Sequence, residues 1–335
     1  MSGRIPAIDI APFLAGTGKT SVARQVAEAC ERIGFLVVSG HGIEAAVIER
    51  AFERSRAFFD RPRDEKDRCH PCGRARQRGF HGFATRGLAY TLGEETPPDL
   101  RETYFLGPVD DHRAHFANLP EAADAYAPNI YPDFPAGTAE ALIAIYRAYE
   151  RLSVDLLRIF AVALRQPEDY FAGSVVRHFS ILSSHHYPPL RETPRPGQLR
   201  TGAHTDYGAL TILAMTEADG GLEVRMPDGA WQPVVPPRAA LVVNLGDMMA
   251  RWTNGRWVST LHRVANPRDL ESARSRRQTI GYFMHPDYDA PIRAIPSCVP
   301  PGEEPRFPTI TAGEHIAAKI AASHDGAAAV GEQRV

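Results

Sequence analysis

Cysteine is scarce in this chain, and neither a large excess of charge nor a long apolar run is present. Four cysteines in 335 residues are too few for a disulfide framework, which favours a reducing, cytoplasmic location. The 38 basic and 40 acidic side chains nearly cancel, so no overall field attracts nucleic acid or an anionic membrane. No stretch approaches the ~20 apolar residues of a membrane span, and the start MSGRIPAIDIAPF lacks a secretory pattern. These absences predict a small-molecule partner, no nucleic acid and no membrane.

Hydrophobic residues make up 44% of the sequence, which is enough to bury a large core. The first part of the chain mixes strand and helix patterns: a strand at 5–8 and helices over 21–33, 44–59 and 136–164. From Val176 onward, short β-branched runs are separated by Pro, Gly, Asn and Asp, which is typical of a sandwich or barrel. Asn254-Gly255, between two aromatic-bearing runs, predicts a two-residue hairpin.

The segment His204-Thr205-Asp206 precedes the apolar run Ala209–Ala214. In a strand, residues two apart point to the same face, so this imidazole and carboxylate would be presented together. Two histidines and one carboxylate on one face of a metal leave open positions, as in non-haem iron(II) oxygenases. With 13 histidines, a single His-x-Asp can also be an accident, and His204 an ordinary polar residue at a strand end. A third ligand is required, and His262 supplies it if its strand-like run, 256–261, lies beside the first strand.

Three segments in this order resemble a known family: GAHTDYGALTIL, NLGDMMARWTNGRWVSTLHRV and RQTIGYFMHP. Their content and spacing are similar to those of the isopenicillin N synthase-like family of iron(II)- and 2-oxoglutarate-dependent dioxygenases. The segments IPAIDI, ERIGFLVVSGHGI and GFHGF resemble that family's N-terminal region, so the likeness covers nearly the whole chain. The resemblance implies a mainly β fold with flanking helices and a distorted double-stranded β-helix, or jelly roll, as its core.

The resemblance further implies one catalytic unit over residues 1–335 with three parts. They are an α/β N-terminal region over 1–170, a jelly-roll core over 171–300, and a C-terminal helix and tail over 301–335. The sequence makes no prediction of the oligomeric state.

Carried over position by position, the resemblance makes His204, Asp206 and His262 the iron ligands. Arg277 would bind the distal carboxylate of 2-oxoglutarate, a task suited to a planar two-pronged donor. Thr279 stands where the family usually has serine, and it keeps the hydroxyl group.

Two further aspects of the co-substrate site follow from the resemblance. Tyr187 lies where a family tyrosine often helps to hold 2-oxoglutarate, and a plain core aromatic is the alternative. The stretch between His262 and Arg277 is longer than usual, so Arg274 and Arg276 are alternatives for the carboxylate-binding arginine.

The same resemblance implies that the segment from about residue 80 to 104 lines one side of the substrate pocket. Each candidate could equally be part of the core; the candidates are Phe80, His81, Phe83, Tyr90, Arg101 and Tyr104. Ser183 is added because ethylene-forming relatives need an arginine at its position, which implies a different activity here.

The expected function is oxidation of a small metabolite, most often its hydroxylation, in specialised metabolism. Iron(II), 2-oxoglutarate and dioxygen would be used, with release of succinate and carbon dioxide. Two alternatives are an iron oxidase of the same fold that does not use 2-oxoglutarate, and a metal-binding jelly-roll protein without turnover.

Overall fold

The computed structural model describes residues 4–72, 77–85, 87, 97–270, 272 and 274–331. The strands in these ranges are β1 (Ala7–Asp9), β2 (Phe35–Ser39), β3 (Gly79–His81), β4 (Glu102–Leu106), β5 (Ile181–Tyr187), β6 (Thr201–His204), β7 (Leu210–Met215), β8 (Gly221–Arg225), β9 (Trp231–Pro233), β10 (Leu241–Leu245), β11 (His262–Ala265), β12 (Arg277–Met284), β13 (Pro291–Ile292) and β14 (Ile310–Thr311). The helices are α1 (Ala11–Leu14), α2 (Lys19–Arg32), α3 (Ala45–Phe59), α4 (Arg63–Asp67), α5 (Thr138–Ala163), α6 (Asp247–Trp252) and α7 (Ala312–Gly331).

Two sheets form the centre of the molecule. The major sheet has the order β1-β2-β10-β7-β12-β5-β4-β3, and the minor sheet has the order β6-β11-β8-β9. The pair β1–β2 is parallel, whereas the other neighbours in both sheets are antiparallel. The ring of Phe35 in β2 contacts that of His262 in β11 at 5.3 Å between centroids, so the sheets face each other. Two facing sheets whose strands are antiparallel except for the β1–β2 pair make a jelly roll, and the predicted fold class is confirmed.

The outer face of the major sheet packs against α2, α3 and α5. Helix α5 presents Leu142, Ile145, Tyr149, Leu152 and Leu156 at spacings of three and four residues, which places them on one buried face. Each such side chain contributes roughly 1.5–3 kcal/mol when fully buried. The helices of the N-terminal half therefore cover the outer face of the major sheet, and its inner face lines the site.

The space between the sheets is apolar at one end only. Phe35, Val37, Val242, Leu222 and Val224 form a small cluster there, drawn from both sheets. Further along the major sheet, the inner positions of β5 and β12 carry histidine, tyrosine, arginine and threonine instead. A polar, buried region between two sheets is where a jelly roll can hold a small ligand.

The predicted Asn254-Gly255 hairpin is wrong. Asn254 and Gly255 do take positive φ values of 54° and 81°, but they end α6 rather than join two strands. The Gly255 N–H donates to the carbonyl of Ala250 at 2.7 Å and that of Asn254 to Arg251 at 3.0 Å, a helix-ending pair of bonds. The run before His262 is accordingly not a strand, and His262 begins β11 rather than following a strand.

The helices predicted over 21–33, 44–59 and 136–164 correspond to α2, α3 and α5, with ends that differ by two residues or fewer. The major sheet combines strands from the predicted N-terminal region with strands from the predicted core, and the boundaries between these regions stay a prediction. Within the ranges that the structure describes, no helix is both long enough and apolar enough to cross a membrane.

Candidate metal and co-substrate site

Three side chains of metal-binding type converge between the sheets. His204 ends β6 and His262 begins β11, and the two residues are directly paired in the minor sheet. Asp206 lies in the loop after β6, not in a strand as the sequence pattern suggested. Its Oδ1 atom is 3.7 Å from Nε2 of His204 and 3.6 Å from Nε2 of His262. One ligand atom from each residue lies within 4.8 Å of the others, so a single ion can contact all three.

Backbone carbonyls set the orientation of both imidazoles. Nδ1 of His204 lies 2.8 Å from the carbonyl oxygen of Gly202, and Nδ1 of His262 lies 3.1 Å from that of Thr260. A carbonyl can only accept, so each Nδ1 carries the proton and donates it. The lone pair of each ring is therefore on Nε2, the atom that faces Asp206.

The carboxylate of Asp206 is held in the same way. Its Oδ2 accepts hydrogen bonds from Thr211 Oγ1 at 2.5 Å and Asn244 Nδ2 at 2.7 Å, which leaves Oδ1 directed to the histidines. Burial raises the pKa of Asp206, but the two imidazoles and these two hydrogen bonds outweigh it and hold the pKa below its usual value. Burial, followed by His262, lowers the pKa of His204 to about 3. A charged carboxylate and neutral imidazoles are the forms that bind a metal.

Thr211→Val should weaken metal binding without removing a ligand. The change keeps the shape of the side chain but deletes the donor to Asp206, so the carboxylate loses one of its two supports. We expect the affinity for iron(II) to fall about 10- to 100-fold. Anaerobic titration with a competing chelator measures this affinity. Thr17→Val, at an exposed turn, is the control, and equal affinity in both variants would contradict the supporting role of Thr211.

The start of α6 fixes the loop that carries Asp206. The N–H of Asp247 donates to the carbonyl of Asp206 at 2.8 Å, and that of Met248 donates to Gly208 at 3.2 Å. These are N–H groups of the first helical turn, which have no partner inside the helix. A Cβ on Gly246 would meet the carbonyl oxygen of Gly208 at 2.2 Å, so the two segments touch through bare backbone. The sequence segment NLGD contains this glycine, but its contact with the loop is tertiary and was not predicted.

Gly246→Ala is therefore expected to disturb the loop that carries Asp206. Its φ of -98° suits any residue, so the cost is purely the collision of the new methyl group with backbone. We expect a loss of about 1–3 kcal/mol in the free energy of unfolding, measured by urea denaturation, together with weaker iron binding. Gly173→Ala is the control, because nothing lies within 4 Å of the position of its Cβ. A stable variant with unchanged iron affinity would show that the close contact is not needed.

A second group of polar side chains lies on the inner face of the major sheet. Arg277 begins β12, and Thr279 lies two residues further on the same face. Arg277 is only 2% exposed, its guanidinium carbon lies 5.1 Å from the centre of the Tyr187 ring, and no described carboxylate forms an ion pair with it. Arg277 Nη1 and Thr279 Oγ1 have no hydrogen-bond partner among the described residues. Unmet buried donors cost free energy, which a carboxylate entering here would recover.

The two alternative arginines lie elsewhere. Arg274 is largely exposed and lies 3.7 Å from Asp219 at the surface. Arg276 donates to Asp60 at 2.6 Å and to Nε2 of His186 at 3.0 Å, on the helix-covered side of the sheet. Neither side chain reaches the region between the sheets, so they do not serve as alternatives to Arg277.

Strand pairing separates the predicted pocket residues into two sets. Thr103, His185 and Thr279 lie side by side across β4, β5 and β12, so they share the inner face, which Ser183 also occupies. His81 at the edge strand β3 is paired with Thr103 and lies on this face as well. Phe83, in the turn after β3, is 38% exposed.

The assignment of Phe80 and Tyr104 to the pocket is wrong. The two residues are paired with each other on the opposite face of the sheet, where both rings contact Phe58 of α3. The Tyr104 hydroxyl donates to the carbonyl of Ile130 at 2.6 Å. Neighbouring residues of a strand point to opposite faces, so a segment cannot present Phe80 and His81 to the same pocket. Tyr90 lies outside the described residues.

Comparison with known proteins agrees with this geometry. A family model described as "non-haem dioxygenase in morphine synthesis N-terminal" matches residues 5–133, and the "2OG-Fe(II) oxygenase superfamily" model matches residues 175–286. The 2-oxoglutarate-Fe(II) type oxidoreductase hxnY of Emericella nidulans is 30% identical over 317 residues, covering 93% of this chain and 88% of the relative. The chain belongs to the 2OG-Fe(II) oxygenase superfamily.

Two other proteins show how widely the likeness extends. Validamycin A dioxygenase of Streptomyces hygroscopicus subsp. limoneus is 29% identical and covers 95% of this chain and 86% of its own length. The crystal structure of a full-length Neurospora crassa protein in complex with alpha-KG superposes with a TM-score of 0.83 at 29% identity, over 95% of this chain and 96% of that one. This oxygenase therefore uses iron(II), 2-oxoglutarate (alpha-KG) and dioxygen to oxidise a small molecule. A same-fold oxidase without 2-oxoglutarate and a protein without turnover are not favoured.

Proposed function

We propose that His204, Asp206 and His262 hold the iron of this oxygenase, and that Arg277 and Thr279 bind the distal carboxylate of 2-oxoglutarate. The product we propose is a hydroxylated small metabolite. The bound iron, with 2-oxoglutarate and dioxygen, supplies the oxidising power, and succinate and carbon dioxide are released.

The observation that carries this assignment is the match between donors and ligands in two adjoining places. Two Nε2 lone pairs and one carboxylate oxygen converge within 4.8 Å, which suits a divalent ion with open positions. On the facing sheet, Arg277 Nη1 and Thr279 Oγ1 have no hydrogen-bond partner in the part of the chain that the structure describes, which suits a carboxylate. The first set of side chains suits the metal ion of the reaction, and the second suits the carboxylate of its co-substrate.

The protein contributes orientation and the exclusion of water. The Tyr187 ring packs against the guanidinium of Arg277, and its hydroxyl lies 3.3 Å from Thr201 Oγ1, so the ring is fixed at both ends. His204, Asp206 and His262 are each less than 10% exposed. A dry, preorganised site strengthens the electrostatic contacts made inside it.

An anaerobic titration of the iron(II)-loaded protein with 2-oxoglutarate tests the proposal. We expect a saturable visible charge-transfer band from the chelated keto acid, and we expect no band in the His204→Ala variant. Succinate formation that depends on oxygen then tests turnover. If iron binds and no band develops, 2-oxoglutarate does not chelate this iron, and the proposed arrangement is wrong.

The cytoplasm remains our proposed location. All four cysteines, Cys30, Cys69, Cys72 and Cys298, are free thiols, and a reducing compartment keeps them so. Fractionation of cells that express the protein from its own promoter would test this.

A further inference from the structure

A row of hydrogen-bonding side chains lies on the inner face of the major sheet, next to the proposed 2-oxoglutarate site. His185 is at its centre. Nδ1 of His185 lies 2.9 Å from Thr103 Oγ1, and Nε2 lies 2.9 Å from Ser183 Oγ. Both ring nitrogens are therefore occupied, and the row Thr103–His185–Ser183 is a fixed surface. The hydrogen bonds of this row do not involve His204, Asp206 or His262, so the proposed function gives the row no role.

Arg101 packs against this row. Its Nη1 is 3.4 Å from both nitrogens of His185. The two ring nitrogens point in different directions, and each is already hydrogen-bonded to a hydroxyl group, so this is a packing contact rather than a hydrogen bond. The side chain of Arg101 is 12% exposed. A guanidinium charge is thus held almost buried beside a ring.

Asp99 connects Arg101 to the metal-binding strand. Its Oδ2 lies 3.2 Å from Nη2 of Arg101, and its Oδ1 accepts from the N–H of Gly202 at 2.9 Å. Gly202 lies two residues before His204, within β6. Arg101 is therefore fixed between β6, which carries His204, and the row around His185.

The charge of Arg101 affects the pKa of the neighbouring imidazole of His185. Burial is the main reason that the pKa of His185 lies well below its ordinary value, and Arg101 is the next cause. His185 is therefore neutral, and the permanent positive charge on this wall belongs to Arg101.

We propose that Arg101 binds a carboxylate of the substrate, and that the row Thr103–His185–Ser183 forms the wall beside it. This inference rests on the proposed function and names its substrate class. Of the five N–H groups of the guanidinium, Asp99 takes part of the capacity, and the described residues offer it no other ion pair. The planar fork suits a carboxylate, and Arg277 with Thr279 already accounts for that of 2-oxoglutarate.

The aromatic rings further along this wall indicate the chemical character of the rest of the acid. Further along the same face, the ring of Phe105 lies 6.3 Å from that of His185 and 5.5 Å from that of His81, both edge-on. Phe105 is half-buried. An acid with an apolar or aromatic body would place its carboxylate on Arg101 and its body along these rings.

A matched pair of probes tests the charge requirement: phenylacetate and phenylacetamide. Each is titrated by calorimetry into the anaerobic protein loaded with iron(II) and saturating 2-oxoglutarate, which keeps Arg277 occupied. We expect the acid to bind at least about tenfold more tightly than the amide, as a hydrogen bond to a charged group requires. In Arg101→Gln this preference should disappear through loss of acid binding alone. Arg274→Gln, at the surface, should retain it.

The charge-transfer band separates failure of this inference from failure of the proposed function. Arg101→Gln should keep the band with an apparent 2-oxoglutarate affinity within about twofold of the wild type, which also shows that the variant is folded. Arg101→Lys keeps the charge and should lose only part of the preference. If the wild type shows the band but binds acid no better than amide, the inference is overturned. The same holds if Arg101→Gln keeps its fold by circular dichroism and binds iron but gives no band, because Arg101 would then serve 2-oxoglutarate.

Discussion

Asp206→Ala is expected to remove iron binding and, with it, turnover of 2-oxoglutarate. Its Oδ1 is the atom that both histidines face, at 3.7 and 3.6 Å, and it supplies the only negative charge in the proposed ligand set. Without it, only the two imidazoles remain. Loss of a supporting contact alone costs about 10- to 100-fold in metal affinity, so loss of the ligand should exceed 100-fold. Anaerobic chelator competition gives the affinity, and oxygen-dependent succinate release gives the turnover.

The interpretation of that result depends on the fold surviving the change. The pKa of Asp206 is held below its usual value, which means that the charged carboxylate is stabilised in place by its neighbours. Removing it leaves Thr211 and Asn244 without an acceptor, so circular dichroism must accompany the binding measurement. Asp111→Ala, at an exposed ion pair with Arg113, is the matched control and should bind iron normally. Iron affinity in Asp206→Ala equal to that of the control would exclude Asp206 as a ligand.

Arg277→Met is expected to have opposite effects on binding and on stability. The change deletes the guanidinium that offers an unpaired Nη1, so the apparent affinity for 2-oxoglutarate should fall at least about 100-fold if two charged hydrogen bonds are lost. The ligand-free protein should meanwhile gain about 1 kcal/mol or more in the free energy of unfolding. A buried charge with no ion-pair partner among the described residues is replaced by an apolar chain of similar length.

Both halves of this expectation are measurable in one protein sample. The charge-transfer band gives the 2-oxoglutarate affinity, and urea denaturation of the iron-free, 2-oxoglutarate-free protein gives the stability. Arg274→Met is the control, since its side chain is largely exposed and both quantities should stay close to those of the wild type. A destabilised Arg277→Met would indicate that the guanidinium is structural, and an unchanged 2-oxoglutarate affinity would assign the carboxylate to another cation.

The features that the sequence predicted well are those encoded by neighbouring residues or by a linear pattern. Helices α2, α3 and α5 follow from apolar spacing, and the jelly roll follows from the series of short strands. His204, Asp206 and His262 are proposed as ligands because three segments occur in a recognisable order. Their convergence could be expected, but the direct pairing of His204 with His262 across β6 and β11 needed the structure.

The errors come from information that lies in distant parts of the chain. Phe80 and His81 are adjacent, and only the pairing of β3 with β4 shows which of them faces the site. Asn254-Gly255 has the backbone geometry that a hairpin requires, but the residues before it form a helix, so the same geometry ends α6. The contact of Gly246 with Gly208 joins two loops and leaves no periodic signal.

The division of the site between the two sheets has a mechanical consequence. The proposed metal ligands lie on the minor sheet and in the loop after β6, whereas the proposed donors to the 2-oxoglutarate carboxylate lie on the major sheet. A 2-oxoglutarate molecule bound by side chains of both sheets would link the two sheets and oppose their separation. Resistance to proteolysis and thermal unfolding should therefore rise with the concentration of 2-oxoglutarate once iron is bound, as mass action requires of a ligand that binds only the folded protein.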